Sequence, residues 1–116
     1  SFKKNCEISR EKLKSKIKKI KDSGKRICGY AATSKSTTIL NYCKIDNKQI
    51  EFICDTTMEK IGKYSPGKHI PIVSIDHFRK NSPDVAFLFA WNHKLEIFKK
   101  EKEFTKKGQW IAHVEI

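Results

Sequence analysis

The stretch DVAFLFAW, residues 84–91, is the most continuous apolar run in the chain. A strand with one wet face alternates apolar and polar residues, whereas a strand buried on both faces does not need to. The run therefore predicts a central strand covered by helices on either side. Two shorter runs, RICGYAA (26–32) and QIEFICD (49–55), read the same way. Between them SKSTTILNYCKI (34–45) has Ile39, Leu40, Tyr42, Cys43 and Ile45 available for burial, as a helix would. Strand, helix and strand in this order form a βαβ unit, which implies a parallel sheet with a right-handed crossover.

The remaining chain extends the pattern. TTMEKIGKYSPGKH (56–69) carries Gly62, Pro66 and Gly67 without a sustained period and reads as a long loop of the kind that serves a site. IPIVSI is a short strand, placed at an edge or at its start by Pro71. DHFRKN is a brief helical turn. HKLEIFKKEKEFTKK is a helix with Leu95, Phe98 and, less regularly, Phe104 on one side, ended by Gly108 before a last strand, QWIAHVEI. Five strands alternating with helices predict a three-layer α/β/α sandwich within one domain, 1–116.

Charge is concentrated at the start. Residues 1–26 hold 11 bases and 3 acids, and Leu13, Ile17 and Ile20 fall at helical spacing among the lysines, with Gly24 as a stop. This predicts a basic amphipathic helix within residues 1–25. A solvated outer face is the ordinary role of such a helix. Nucleic-acid binding through residues 10–26 is the alternative, weakened because Phe2 is the only aromatic residue before Tyr30 and single-strand binders stack bases on aromatics.

No run of about 18 apolar residues is present. Neither a membrane partner nor a secretory leader is indicated, and a cytoplasmic location is expected. Cys6, Cys28, Cys43 and Cys54 form no C-x-x-C pair, and Cys28 and Cys54 lie in apolar runs. Buried thiols are expected rather than disulfides or zinc. His77, His93 and His113 lack metal-binding spacing, so no metal is assigned. Met58 is the only methionine, and the chain is expected to be a piece of something longer.

The turn after the first strand, GYAATSKST, stands where open α/β sheets bind anions. It lacks the G-x-G-x-x-G of a dinucleotide turn. The P-loop pattern fits from Gly29 to Ser36 except that Ser34 replaces the glycine before Lys35, which sets an ATPase or GTPase reading aside. What remains is a set of hydroxyls and one cation at a helix start, including Thr33, Lys35 and Thr37. A plain helix cap reads equally well. Asp55, closing the second strand, stands where such folds place an acid against a ribose hydroxyl, or it caps the loop.

Four stretches carry a family resemblance: GYAATSKSTTILNYC, FICDTTMEKIGKYSPGKHIPI, PDVAFLFAWNHKLEI and KKGQWIAHVEI. The combination of K-x-G-K-Y-x-P-G-x-x-I-P-I with W-N-x-x-x-E-I is specific. Over residues 26–116 the chain resembles the C-terminal domain of S-adenosylmethionine-dependent C-methyltransferases that act on nucleotide-linked deoxysugars. The resemblance implies a Rossmann-like fold and a substrate-binding role, with no catalytic residue here. The expected ligand is a nucleotide-linked sugar such as a dTDP-4-keto-deoxysugar. S-adenosylmethionine and zinc are expected only in preceding domains, the methyl-donor domain being a partner in the same polypeptide.

Carried over by position, the implied substrate-binding residues are Tyr30, Ala32, Thr33, Lys35, Thr37, Asp55, Lys60, Lys63, Tyr64, His69, Trp91, Asn92 and Glu96. Lys35 and the helix start suit phosphate, Tyr30 suits stacking, and Lys60 and Lys63 suit remaining charge. Each has an ordinary alternative: Trp91 in the core, Asn92 tying a strand end, Glu96 as helix charge, Tyr64 packing its loop and His69 as a structural histidine. Ala31 and Ser36 stand where the family usually has glycine, and Met58 where it has proline.

Overall fold

Side-chain alternation along the first strand sets the architecture. β1 (Ile27–Tyr30) sends Ile27 into one apolar cluster and Cys28 and Tyr30 into another, on opposite faces. The structure, a computed structural model, describes residues 10–31, 34–65 and 69–114, and of Ser34, Lys35 and Thr37 it describes the backbone alone. One face of the sheet is covered by α1 (Arg10–Asp22) and α2 (Ser34–Cys43). The other is covered by α3 (Ile75–Asn81), α4 (Lys94–Lys100) and α5 (Lys102–Lys107).

The five strands, completed by β2 (Ile53–Asp55), β3 (Ile72–Ser74), β4 (Val85–Leu88) and β5 (Gln109–Ile111), pair in parallel in the order β3-β2-β1-β4-β5. The expected α/β sandwich and the basic N-terminal helix are both present. The strand order corrects one expectation, because β1 and not β4 is central. β4 pairs with β1 and β5 and is buried along its whole length. Unbroken apolarity reports burial on both faces, and any interior strand satisfies it.

Leu13 and Ile17 of α1 are buried as their spacing requires, with Ile20 packed against them. On α2, Ile39, Leu40 and Cys43 are buried, but Tyr42 is exposed and lies under the Arg10 guanidinium, 5.3 Å from the ring centroid. The single helix expected over HKLEIFKKEKEFTKK is two, broken at Glu101, whose backbone leaves the helical region at φ −106° and ψ 51°. Leu95 is 72% exposed, and Ile97 packs beside Phe98 and Phe104 instead. Gly108 ends α5 with an extended backbone, not a left-handed one. A Cβ there would run into the Phe104 ring, so the glycine makes room.

The long β2–β3 connection folds back along the free edge of β3. Gly62 N–H donates to the Ile72 carbonyl (2.9 Å), Ile72 N–H to the Lys63 carbonyl (2.8 Å) and Ser65 N–H to the Ile70 carbonyl (2.8 Å). Tyr64 and Pro71 form an antiparallel bridge. This covers an edge that would otherwise present unpaired backbone groups. Pro71 thus stands at the start of an edge strand. The described cysteines, Cys28, Cys43 and Cys54, are buried free thiols, and Cys6 lies outside the described residues.

Candidate ligand crevice at the carboxyl ends of the strands

In the order 3-2-1-4-5 the connections leave β1 and β4 toward opposite faces, which opens a crevice beyond the ends of these two strands. At the end of β1, Ala31 is left-handed at φ +71°, a conformation that costs a residue with a Cβ about 1–2 kcal/mol. Its N–H donates to the Cys54 carbonyl at 2.8 Å, which fixes the chain direction as it leaves the sheet. The chain thus holds a glycine-like backbone at a position that carries alanine. Lys35 and Thr37 stand on the first turns of α2. Ala32 and Thr33 lie outside the described residues, as do the side chains of Lys35 and Thr37. Ser36, on the same turn, is buried.

Tyr30 takes a different position from the one expected of a stacking residue. Its ring is 3% exposed and lies on the α3/α5 face, edge-on to Phe78 (5.3 Å) and Trp110 (5.4 Å). The hydroxyl donates to Glu101 Oε2 at 2.6 Å. Alternation in β1 explains this, since Tyr30 shares its face with Cys28. No ligand meets this ring without displacing core, and the stacking role is corrected to a structural one. Burial, with the Glu101 hydrogen bond and charge added, raises the phenol well above its usual range.

At the end of β2, Asp55 is largely buried and caps its own turn. Oδ1 accepts from Thr56 N–H (2.7 Å) and Thr57 N–H (3.4 Å), and Oδ2 lies 3.6 Å from Lys60 Nζ. The acid and Lys60 are therefore together beside the crevice, with the Lys60 charge partly offset. Of the two roles read for Asp55, loop capping is present.

Lys63, Tyr64 and His69 are strung along the β3 edge. Lys63 is level with Ile72, while Tyr64, 63% exposed, and His69, left-handed at φ +58°, lie further toward the amino end of that strand. The run reads as one motif in sequence, yet the structure does not bring Tyr64 and His69 to the crevice with Asp55. Beyond β4, a 3₁₀ turn spans Trp91–His93 before α4. Trp91, Asn92 and Glu96 line a shallow recess of about 230 Å³. Trp91 is half-buried, Asn92 and Glu96 are exposed, and Glu96 Oε1 lies 3.3 Å from His93 Nδ1.

Sequence reasoning missed the buried carboxylate Glu101. Arg79 grips it through two nitrogens, Nε to Oε1 at 3.1 Å and a terminal NH₂ to Oε2 at 3.0 Å. The bonds to Glu101 raise the Arg79 guanidinium further. Glu101 was concealed among the lysines of its segment. Its signal, an offset of three residues from each of the apolar Phe98 and Phe104, is faint.

The described residues do not suit zinc. They contain no group of three or more His, Cys, Asp or Glu side chains within reach of one ion. Burial pushes the Cys54 thiol up to about 12 and lifts those of Cys28 and Cys43, the opposite of what a thiolate ligand needs. Among the described residues no helix is long and apolar enough to cross a membrane.

The C-methyltransferase NovU of Streptomyces niveus is 36% identical over 99 residues, which are 85% of this chain and 24% of NovU. The chain thus spans about a quarter of the length of that relative. The family profile described as C-methyltransferase C-terminal domain matches residues 1–114, and the chain belongs to that family.

Proposed function

We propose that this chain is the substrate-side module of an S-adenosylmethionine-dependent C-methyltransferase, binding a nucleotide-linked sugar such as a dTDP-4-keto-deoxysugar in the crevice beyond β1 and β4. The observation that carries the reading is the left-handed Ala31 at the carboxyl end of the central strand, beside Asp55 and just ahead of α2. Beyond the carboxyl end of a parallel strand, the N-terminal amides of the following helix favour an anion. Thr33, Lys35 and Thr37 then meet the diphosphate, Lys60 adds charge, and Trp91, Asn92 and Glu96 border the far side.

The module is not catalytic alone. Methyl transfer to a carbon beside a ketone needs a base and a donor, and both belong to other domains of the same cytoplasmic polypeptide, with zinc in its N-terminal region. This chain's residues bind and orient the sugar and exclude water as the domains close.

Titration of isotope-labelled protein with dTDP at 50 and 200 mM salt tests this. Saturable amide shifts at Ala31, Lys35, Asp55 and Asn92, kept at the higher salt and absent from Tyr64 and His69, are expected. Unmoved amides at those four positions, or shifts centred on α1, would overturn the reading.

A further inference from the structure

A second concave surface lies at the other end of the sheet. α1 descends toward the amino end of β1, and α2 ends near the amino end of β2, so the C-terminal halves of these helices meet far from the crevice. Between them and the α2–β2 connection is a groove of about 520 Å³. Lys14, Lys18 and Lys21 line one wall, and Lys44 and Lys48, some thirty residues later in sequence, line the other. Among the described residues Asp22 is the only acid on it, and it is held by Lys18 at 3.0 Å. Ile17 and Ile45 form the floor.

Five like charges converging on one concavity repel one another, and nothing in the fold requires this. The groove and the crevice use separate residues. Successive wall lysines on α1 stand about 4.5–6 Å apart along the helix axis. Alternate residues of an extended chain, which point the same way, repeat every 6.6 Å or so. Lysine stems between the ammonium groups add aliphatic surface. Among the described residues no arginine, for bidentate phosphate recognition, and no aromatic side chain, for base stacking, lines the groove.

We infer that this groove docks an extended acidic segment of a partner polypeptide, with carboxylates at alternate positions and small or aliphatic residues between them. The lysines pair with the carboxylates while the intervening side chains lie on the stems and floor. The partner leaves the crevice open, so the two sites load independently.

The test uses the whole 116-residue chain and a fluorescein-labelled peptide, Glu-Ala-Glu-Leu-Glu-Ser-Glu, followed by anisotropy at 150 mM salt. Lys14→Glu, Lys21→Glu and Lys48→Glu together are expected to weaken binding at least tenfold. Lys80→Glu, Lys99→Glu and Lys106→Glu, an equal charge change elsewhere, should alter it less than twofold. All six side chains are exposed, and an unchanged amide spectrum outside the substituted residues confirms folding. Equal weakening by both triple variants, or no saturable binding, overturns the inference. Tighter binding of a labelled 20-nucleotide single strand that is lost only in the groove variant also overturns it, by assigning the groove to nucleic acid. The dTDP titration on the groove variant should match the parent, so failure at one site is distinguishable from failure at the other.

Discussion

The two faces of the sheet are held in different ways. Under α1 and α2 the core is largely aliphatic, built from Leu13, Ile17, Ile27, Leu40, Ile45 and Ile53, with Phe87 and Phe89 stacked among them. Under α3, α4 and α5 it is aromatic, with Tyr30, Phe78, Phe104 and Trp110 in edge-on or tilted contact and Glu101 buried between Tyr30 and Arg79. The first face has helices of 13 and 10 residues, the second helices of 7, 7 and 6. Helices this short are marginal alone and depend on tertiary contacts. An aliphatic face tolerates sliding that an aromatic face pinned by directional hydrogen bonds does not, and the second face is the one continuous with the Trp91–Glu96 border of the crevice.

Alkaline pH should expose the difference most strongly. Cys28, Cys54 and Tyr30 lie on the aromatic face and Cys43 on the aliphatic one, all held above their ordinary values chiefly by burial. In each, the folded state holds its proton more tightly than the unfolded chain does. Stability is therefore fully present below the unfolded values, near 9 for the thiols and 10 for the phenol, and is lost as pH rises toward the folded ones. Each fully developed group contributes a slope of about 1.4 kcal/mol per pH unit. Urea midpoints should fall by several kcal/mol in free energy between pH 8 and 11. Cys28→Ala with Cys54→Ala should flatten that slope more than Cys43→Ala does, and equal slopes would refute the assignment to the aromatic face.

The polar pin comes next. Arg79→Leu leaves Glu101 buried with only the Tyr30 hydroxyl and should cost about 3 kcal/mol, discounted because the Arg79 side chain is half exposed. Glu101→Leu leaves that hydroxyl without its acceptor and should cost about 2 kcal/mol. The double variant should be no worse than Arg79→Leu alone, since apolar replacement of both partners removes the stranded charge. Full additivity in urea unfolding would show the pair to be uncoupled. Leu40→Ala, a loss of volume alone at about 3 kcal/mol, is the reference from the aliphatic face.

Much of this contrast was legible in the residues. Leu13 and Ile17 announced α1, and the βαβ unit followed from two apolar runs around a helical period. Counting alternation from Ile27 would also have turned Tyr30 inward. Three features resisted for physical reasons. An apolar run reports burial and not strand order, so DVAFLFAW looked central. A helix break at a buried Glu101 leaves only a faint local signature when lysines surround it. Adjacency in Lys60–His69 does not survive as adjacency in space, because the segment runs down a strand edge and carries Tyr64 and His69 away from Asp55.

Glycine substitutions sharpen the comparison at smaller scale. On the aliphatic face, a Cβ on Gly29 would stand 2.7 Å from Phe89 Cε2 and 3.0 Å from Ile53 Cγ1, both in fully buried side chains. Gly29→Ala should cost about 2–3 kcal/mol by overpacking. A Cβ on Gly108 would meet the Phe104 ring more closely still, but Gly108 is part-exposed between the exposed Lys107 and Gln109 at the end of a six-residue helix, so the backbone there can give. Gly108→Ala should cost about 1 kcal/mol. The reverse order in thermal unfolding would mean that the aromatic face is the more rigid even at its margin.

Ala31→Gly carries the smallest effect and the most direct bearing on the crevice. The alanine stands at φ +71° with its N–H bonded to the Cys54 carbonyl. Glycine reaches that region without the Cβ penalty of about 1–2 kcal/mol but gives the unfolded chain more freedom, which returns about 0.4–1 kcal/mol. The net expectation is a stabilisation of roughly 0.5–1 kcal/mol, read as a small rise in the urea midpoint. Because the left-handed turn is already formed, dTDP affinity should change less than threefold. A large gain in affinity without a gain in stability would mean that the alanine methyl blocks the crevice, and its chief effect would then be on the ligand and not on the backbone.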